Sequence, residues 1–157
     1  MTALRTPYLM FIGDSHDQLA AKVADGVVYW RRDWCVGQFR LPGCKADLKI
    51  PDMSIEEAAR AGVGTVIVGV ANRGGKIPDS WVASLVQALD LGMDVASGLH
   101  KRLADIPELA AAAKRNGRIL LDVRHPTQSF DVADGKKRSG KRLLAVGHSA
   151  GGQMFGL

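Results

Sequence analysis

The chain has 157 residues, 46% apolar and 24% charged, which suits a domain with a real core and excludes disorder as its main state. No apolar stretch approaches the roughly 20 residues of a membrane helix, so a membrane partner is not expected. The two cysteines, Cys35 and Cys44, have no partner pair, which supports neither a zinc site nor a disulfide framework and suggests a reduced, cytoplasmic setting.

The net charge of +5 is unevenly placed, in Arg31-Arg32 and in Lys136-Lys137-Arg138 with Lys141-Arg142. Such runs are either solvated loops or a counter-charge for a phosphorylated ligand. Nucleic acid is not expected as a partner, because no aromatic-rich stacking surface accompanies the charge in sequence.

Tyr8 to Ile12 is a short apolar run that stops at Gly13-Asp14-Ser15, turn and cap residues. It reads as a first strand rather than a signal peptide. Leu19, Val23 and the intervening alanines then recur at helical spacing as far as Gly26. The segment from Arg31 to Asp52, with both cysteines, Trp34 and Pro42-Gly43, shows no regular pattern.

Ser54 and Glu57 form a capping box, in which each side chain satisfies an orphan backbone N–H, and that helix ends at Gly62. Thr65 to Val70 is a β-branched run of the kind buried on both faces of a parallel sheet. Pro78 and Asp79 open a helix to Gly92, with Val82, Leu85, Val86 and Leu89 on one stripe. Met93 to Ala96 is a strand, and an Ala-rich helix runs from Asp105-Pro107 to Asn116-Gly117. Arg118 to Val123 and Leu143 to Val146 are two further strands, separated by a polar, basic linker over 124–142. Strands alternating with helices predict an α/β domain, doubly wound and Rossmann-like, around a mostly parallel sheet.

Ligands of such sheets collect at the carboxyl ends of the strands. Five loops qualify: Gly13 to Ser15, Ala71 to Gly75, Ser97 to His100, Asp122 to His125, and Gly147 onward. None carries the dinucleotide fingerprint G-x-G-x-x-G. Asn72-Arg73-Gly74-Gly75-Lys76 is either a plain turn or a loop whose backbone N–H groups and cations approach an anion. His100 is either a solvated residue or an acid/base group. Asp122 is either an ion-pair partner, beside Arg124, or a catalytic base.

The final stretch, Gly147-His148-Ser149-Ala150-Gly151, fits the nucleophile elbow G-x-S-x-G of a serine esterase. That fold places its acid and His after the serine, and no Asp, Glu or His follows here, so Ser149 is not expected to be a nucleophile. A phosphate loop over Gly147, Gly151 and Gly152 lacks the Lys and Ser/Thr that would reach phosphate and magnesium; Gln153 and Met154 stand there. No metal is expected. Met154, Phe155 and Leu157 are apolar residues that would seek cover, so a homo-oligomer is expected.

Several blocks together resemble the D-glutamate N-acetyltransferase family: "YLMFIGDSHD", "CVGQFRLPG", "PDMSIEEA", "GVANRGGKIPDSWV", "ALDLGMDVASGLHKRLADIPEL" and "LLDVRHP…GKKRSGKRLLAVG". The match runs from about Tyr8 to Gly147. Members have a Rossmann-like N-terminal domain and then a phosphate-loop-like second domain. The resemblance therefore implies a first domain over 1–142 and, over 143–157, the first strand and an altered loop of a truncated second domain.

For a complete member the resemblance implies acetyl transfer from acetyl-CoA, as co-substrate, to the amine of D-glutamate. A small acidic substrate would suit Asn72, Arg73, Gly74, Gly75 and Arg124 as binding residues, with His100 and Asp122 as catalytic candidates. The isolated chain, without the phosphate-binding Lys, is expected to be inactive. The alternative from another class is a non-catalytic domain that binds a small acid or assembles with another chain.

Overall fold

A computed structural model of the chain describes residues 4–125 and the isolated position 139. Five parallel strands form one sheet in the order β2-β1-β3-β4-β5. They are β1 (Tyr8–Gly13), β2 (Cys35–Arg40), β3 (Thr65–Val68), β4 (Asp94–Ser97) and β5 (Leu120–Asp122). Four helices connect them: α1 (Lys22–Trp30), α2 (Ile55–Arg60), α3 (Asp79–Asp90) and α4 (Pro107–Asn116). This is the doubly wound α/β arrangement that the alternation of elements predicts.

The strand order dictates the layers. The crossover from β1 to β2 runs one way along the sheet, and the other three run the opposite way. Right-handed crossovers then put α1 on one face and α2, α3 and α4 on the other. The register aligns Leu9, Val66, Val95 and Leu120 in one row and Phe11, Val68, Ser97 and Asp122 in another. These rows face the three-helix layer, where the rings of Phe11 and Trp81 of α3 lie 5.4 Å apart. Leu85, Leu89, Leu103 and Leu109 complete that side of the core without solvent exposure.

Local chemistry explains the helix ends. Ser54 and Glu57 form the expected capping box, with Glu57 N–H donating to Ser54 Oγ at 3.1 Å and Ser54 N–H to Glu57 Oε2 at 2.7 Å. Helix α4 begins at Pro107, whose missing N–H costs nothing there, and ends on Gly117 in the left-handed region.

Two expectations from sequence need correction. Helix α1 does not stop at Gly26 but continues to Trp30, because Val27 and Val28 prolong its inward stripe, and Leu19 is 70% exposed rather than packed. The patternless segment 31–52 contains β2. Its Cys-Val-Gly-Gln-Phe-Arg sequence hides the strand because two positions serve other ends. Gly37 leaves room for Met53, whose Sδ would lie 2.5 Å from an added Cβ.

Gln38 is a buried polar side chain that organises the following loop. Its amide nitrogen donates to Asp47 Oδ1 and to the Ile50 carbonyl, and its oxygen accepts from Leu48 N–H. The backbone adds Gln38 N–H to Pro51 and Met53 N–H to Gln38. Irregular chain from Asp47 to Met53 is thereby fastened to the edge strand.

Residues 126–157 lie outside the described region apart from position 139. The expected strand Leu143–Val146, the glycines Gly147, Gly151 and Gly152, Ser149 and the domain boundary at 142/143 all fall there.

Candidate functional site at the carboxyl edge

The first loop of the edge is closed by the protein itself. Gly13 has φ +53°, and the Trp81 indole fills the space beside it, 2.6 Å from where a Cβ would stand. The indole N–H donates to Asp14 Oδ1 at 2.8 Å. Ser15 turns back on Ile12, its hydroxyl donating to that carbonyl at 2.6 Å. The turn preceding α1 is capped by Asp17, which accepts from Ala20 N–H at 2.8 Å. A carboxylate therefore sits where a dinucleotide fold would present free N–H groups to a pyrophosphate.

The crevice between β1 and β3, the point where strand order reverses, is tightly packed as well. Ala24 N–H donates to the Gly69 carbonyl at 3.0 Å and Ala71 N–H to Ala20 at 2.7 Å. A Cβ on Gly69 would meet Ala24 Cβ at 2.4 Å.

The loops after β3, β4 and β5 are open to solvent and bound to one another. In the β3 loop, Arg73 to Gly75 form one tight turn, with Gly74 and Gly75 at φ +78° and +57°. Asn72 builds that turn: its side-chain nitrogen donates to the Lys76 carbonyl at 2.7 Å and its oxygen accepts from Lys76 N–H at 3.1 Å. Gly75 lies against His100, whose Cδ2 would be 2.5 Å from an added Cβ, and its carbonyl accepts from Lys101 N–H at 2.8 Å.

The β5 loop closes on the same residue. His125 Nε2 donates to the His100 carbonyl at 3.1 Å. Asp122 is half-buried and its Oδ1 accepts from Leu103 N–H at 2.7 Å, which fixes the turn leading to α4. Arg73, Gly74, His100 and Arg124 are exposed, Gly75 is buried, and Asn72 is half-buried.

Cations outnumber acids along these three loops, with Asp105 and Asp122 the carboxylates beside them. Arg73 and Lys76 follow β3, Lys101 and Arg102 follow β4, and Arg124 follows β5. Among the described residues none of these five cations forms an ion pair. The arrangement suits an anion approached by several donors, with Arg able to grip a carboxylate through two parallel hydrogen bonds. In sequence His125 groups with Asp122 and Arg124 as a polar cluster, whereas Lys101 and Arg102 were not singled out, although their place in the turn after a strand was the available signal.

A second cleft, of about 530 Å³, lies at the carboxyl end of β2 beside the start of α2, lined by Phe39, Leu41 and Met53 with Arg40 and Asp52. Its Arg40 and Asp52 are matched to each other, and Glu57, also in its lining, is engaged in the capping box. The Arg40 guanidinium makes a two-pronged bond to Asp52 and holds that carboxyl below the usual range. No group of three or more His, Cys, Asp or Glu side chains placed to hold a metal occurs among the described residues. No helix among them is long and apolar enough to cross a membrane.

A family described as a domain of unknown function (DUF1611_N), Rossmann-like domain, matches residues 39–126. A D-glutamate N-acetyltransferase of Tritonibacter scottomollicae is 57% identical over 144 residues, covering 92% of this chain and 43% of that protein. One of the same name from a Pseudoalteromonas species is 40% identical over the same shares. The crystal structure of a DUF1611 family protein from Anabaena variabilis superposes with a TM-score of 0.67 at 26% identity, over 85% of this chain and 41% of that one. The chain thus spans less than half the length of the relatives it matches. With its sheet order, its three linked loops and a match over most of its length, the chain belongs to the DUF1611_N family of Rossmann-like domains.

Proposed function

We propose that this domain is the first half of the machinery of a D-glutamate N-acetyltransferase-like protein, and that its cationic edge binds the acidic substrate. The carrying observation is the convergence of Arg73, Lys76, Lys101, Arg102 and Arg124 on three adjacent loops, without ion-pair partners among the described residues. The names of the two relatives support the choice of substrate.

In such a transfer the substrate ammonium first gives up a proton. The amine nitrogen then attacks the thioester carbonyl of acetyl-CoA, the tetrahedral oxyanion collapses, and the C–S bond breaks to release CoA as its thiol. Arg73 and Arg124 hold the two carboxylates of D-glutamate in this reading. His100, exposed and lying against Gly75, is the better-placed candidate to take the proton. The carboxylate of Asp122 already accepts from the backbone of Leu103, so a positioning role suits it better. Acetyl-CoA, as co-substrate, is assigned mainly to the part of the relatives that this chain does not span.

The test is a chimera in which this chain replaces the matching segment of the Tritonibacter scottomollicae enzyme. Thiol release from acetyl-CoA that depends on D-glutamate is expected, with a loss of at least tenfold in kcat/KM on Arg73→Ala. A folded, inactive chimera beside an active parent would overturn the reading.

The second reading is a domain that binds a small acid without turnover; with the carboxylate of Asp122 already occupied by the Leu103 N–H, binding is favoured over proton transfer there. Calorimetric binding of D-glutamate to the 157-residue chain, with no thiol release, is its signature. The esterase reading through Ser149 is weaker, since both relatives bear the name D-glutamate N-acetyltransferase.

A further inference from the structure

Two surfaces on opposite faces of the sheet complement each other, the second reaching the cationic edge at Lys101. The first is the carboxyl end of α1, where Tyr29 and Trp30 are 79% and 73% exposed and pack edge to face at 5.1 Å. Arg31, Arg32 and the exposed Asp33 follow, so aromatic rings do accompany this charge, a correction to the reading from sequence. The Arg31 guanidinium lies 5.1 Å over the Trp34 ring, itself 39% exposed, and Arg32 donates to the Lys49 carbonyl. Trp, Tyr and Arg held ready in this way are the side chains that dominate protein–protein contacts.

The second is a groove of about 770 Å³ between α3 and α4, with Val82, Val86, Pro107 and Ala111 in its walls. Asp79, Asp105 and Glu108 also line it, and none of them forms an ion pair among the described residues. The cations there are Lys101 and Arg115, and Arg115 is already paired with Asp90. The groove is apolar with an acidic surplus; the patch is aromatic with a basic surplus.

The two cannot meet within one chain. Helix α1 covers one face of the sheet and α3 and α4 the other, and the patch lies at the amino ends of the strands. Patch against patch would bring Arg31 and Arg32 against their own copies, a like-charge juxtaposition that disfavours a two-fold contact there.

We infer that the Tyr29-Trp30-Arg31-Arg32 patch of one chain docks into the α3–α4 groove of a second copy, head to tail. The inference does not rest on the acetyl-transfer reading, although the groove shares Lys101 with the proposed substrate edge. Such a contact leaves one free patch and one free groove on every pair, so association continues until a ring closes or a chain of subunits grows.

Sedimentation velocity on the 157-residue chain, with circular dichroism to verify folding, tests it. The wild type is expected to sediment as species beyond a dimer as concentration rises. Trp30→Ala at the patch and Ala83→Arg in the groove, both at exposed positions, should each weaken association at least tenfold. Mixing the two variants should restore dimers and nothing larger, since the mixture keeps one intact patch and one intact groove. A monomeric wild type, association indifferent to both changes, or a mixture that stays monomeric would each overturn the inference.

Discussion

The indole of Trp81 reaches from α3 across the sheet edge to Asp14, donating its N–H to Oδ1 at 2.8 Å while its ring lies over Gly13. One side chain thus seals the first loop and anchors a helix. Trp81→Phe keeps most of the ring and loses the donor, so a loss of about 1 kcal/mol is expected. Gly13→Ala places a methyl against that ring at positive φ and should cost more, about 2 kcal/mol or above. Urea unfolding of both variants measures the difference; equal effects would mean that the ring's proximity to Gly13 carries no strain.

Gly75 and His100 form the tightest contact among the candidate loops. Gly75→Ala should distort that junction, because both the imidazole and the His100 backbone nitrogen lie within 2.7 Å of the new Cβ. His100→Ala, at an exposed residue, should change stability by no more than about 0.5 kcal/mol. In the double variant only the side-chain part of the clash is relieved, so a partial rescue of thermal stability is expected. Full rescue would show that the backbone approach is harmless.

Gln38→Leu removes the amide that serves Asp47, Leu48 and Ile50. Leaving the Leu48 N–H and the Ile50 carbonyl without this partner should cost about 2–4 kcal/mol in total. Hydrogen exchange should report the loss at Leu48 first, ahead of the central strands.

Acid stability follows from depressed carboxylates. Lys49 and Gln38 hold Asp47 well below its ordinary value of 3.8, and Arg40 and Arg115 lower Asp52 and Asp90. A folded-state pKa below the unfolded one stabilises the fold above the unfolded value, and that contribution is lost as pH falls through the folded value. The melting temperature should therefore decline from about pH 4 downward. Asp52→Asn should be less stable than wild type near neutrality and show a shallower acid decline. An identical slope in both proteins would remove Asp52 from the account.

Local signals were legible in sequence wherever the structure obeys local rules. The Ser54–Glu57 box, Pro107, Gly117 and the β-branched run of β3 each act on near neighbours, and each element starts where the pattern placed it, β3 ending at Val68 rather than Val70. Strand β2 was not legible, since Gly37 and Gln38 answer to Met53, Leu48 and Ile50 rather than to strand propensity. The same division holds at the candidate site. The loops were identifiable from their place after strands, while the seating of His100 on Gly75 and the bond from His125 join residues 25 positions apart in sequence.

The packed crevice between β1 and β3 bears on how kinship by shape is used. In many doubly wound domains that crevice is the ligand's seat. Here Asp17, Trp81 and the Ala24–Gly69 contact turn it into mortar between layers. Docking a nucleotide by analogy with the fold would therefore search filled ground. Ligand screens, soaking trials and inhibitor design are better aimed further along the sheet, at the tips of β3, β4 and β5.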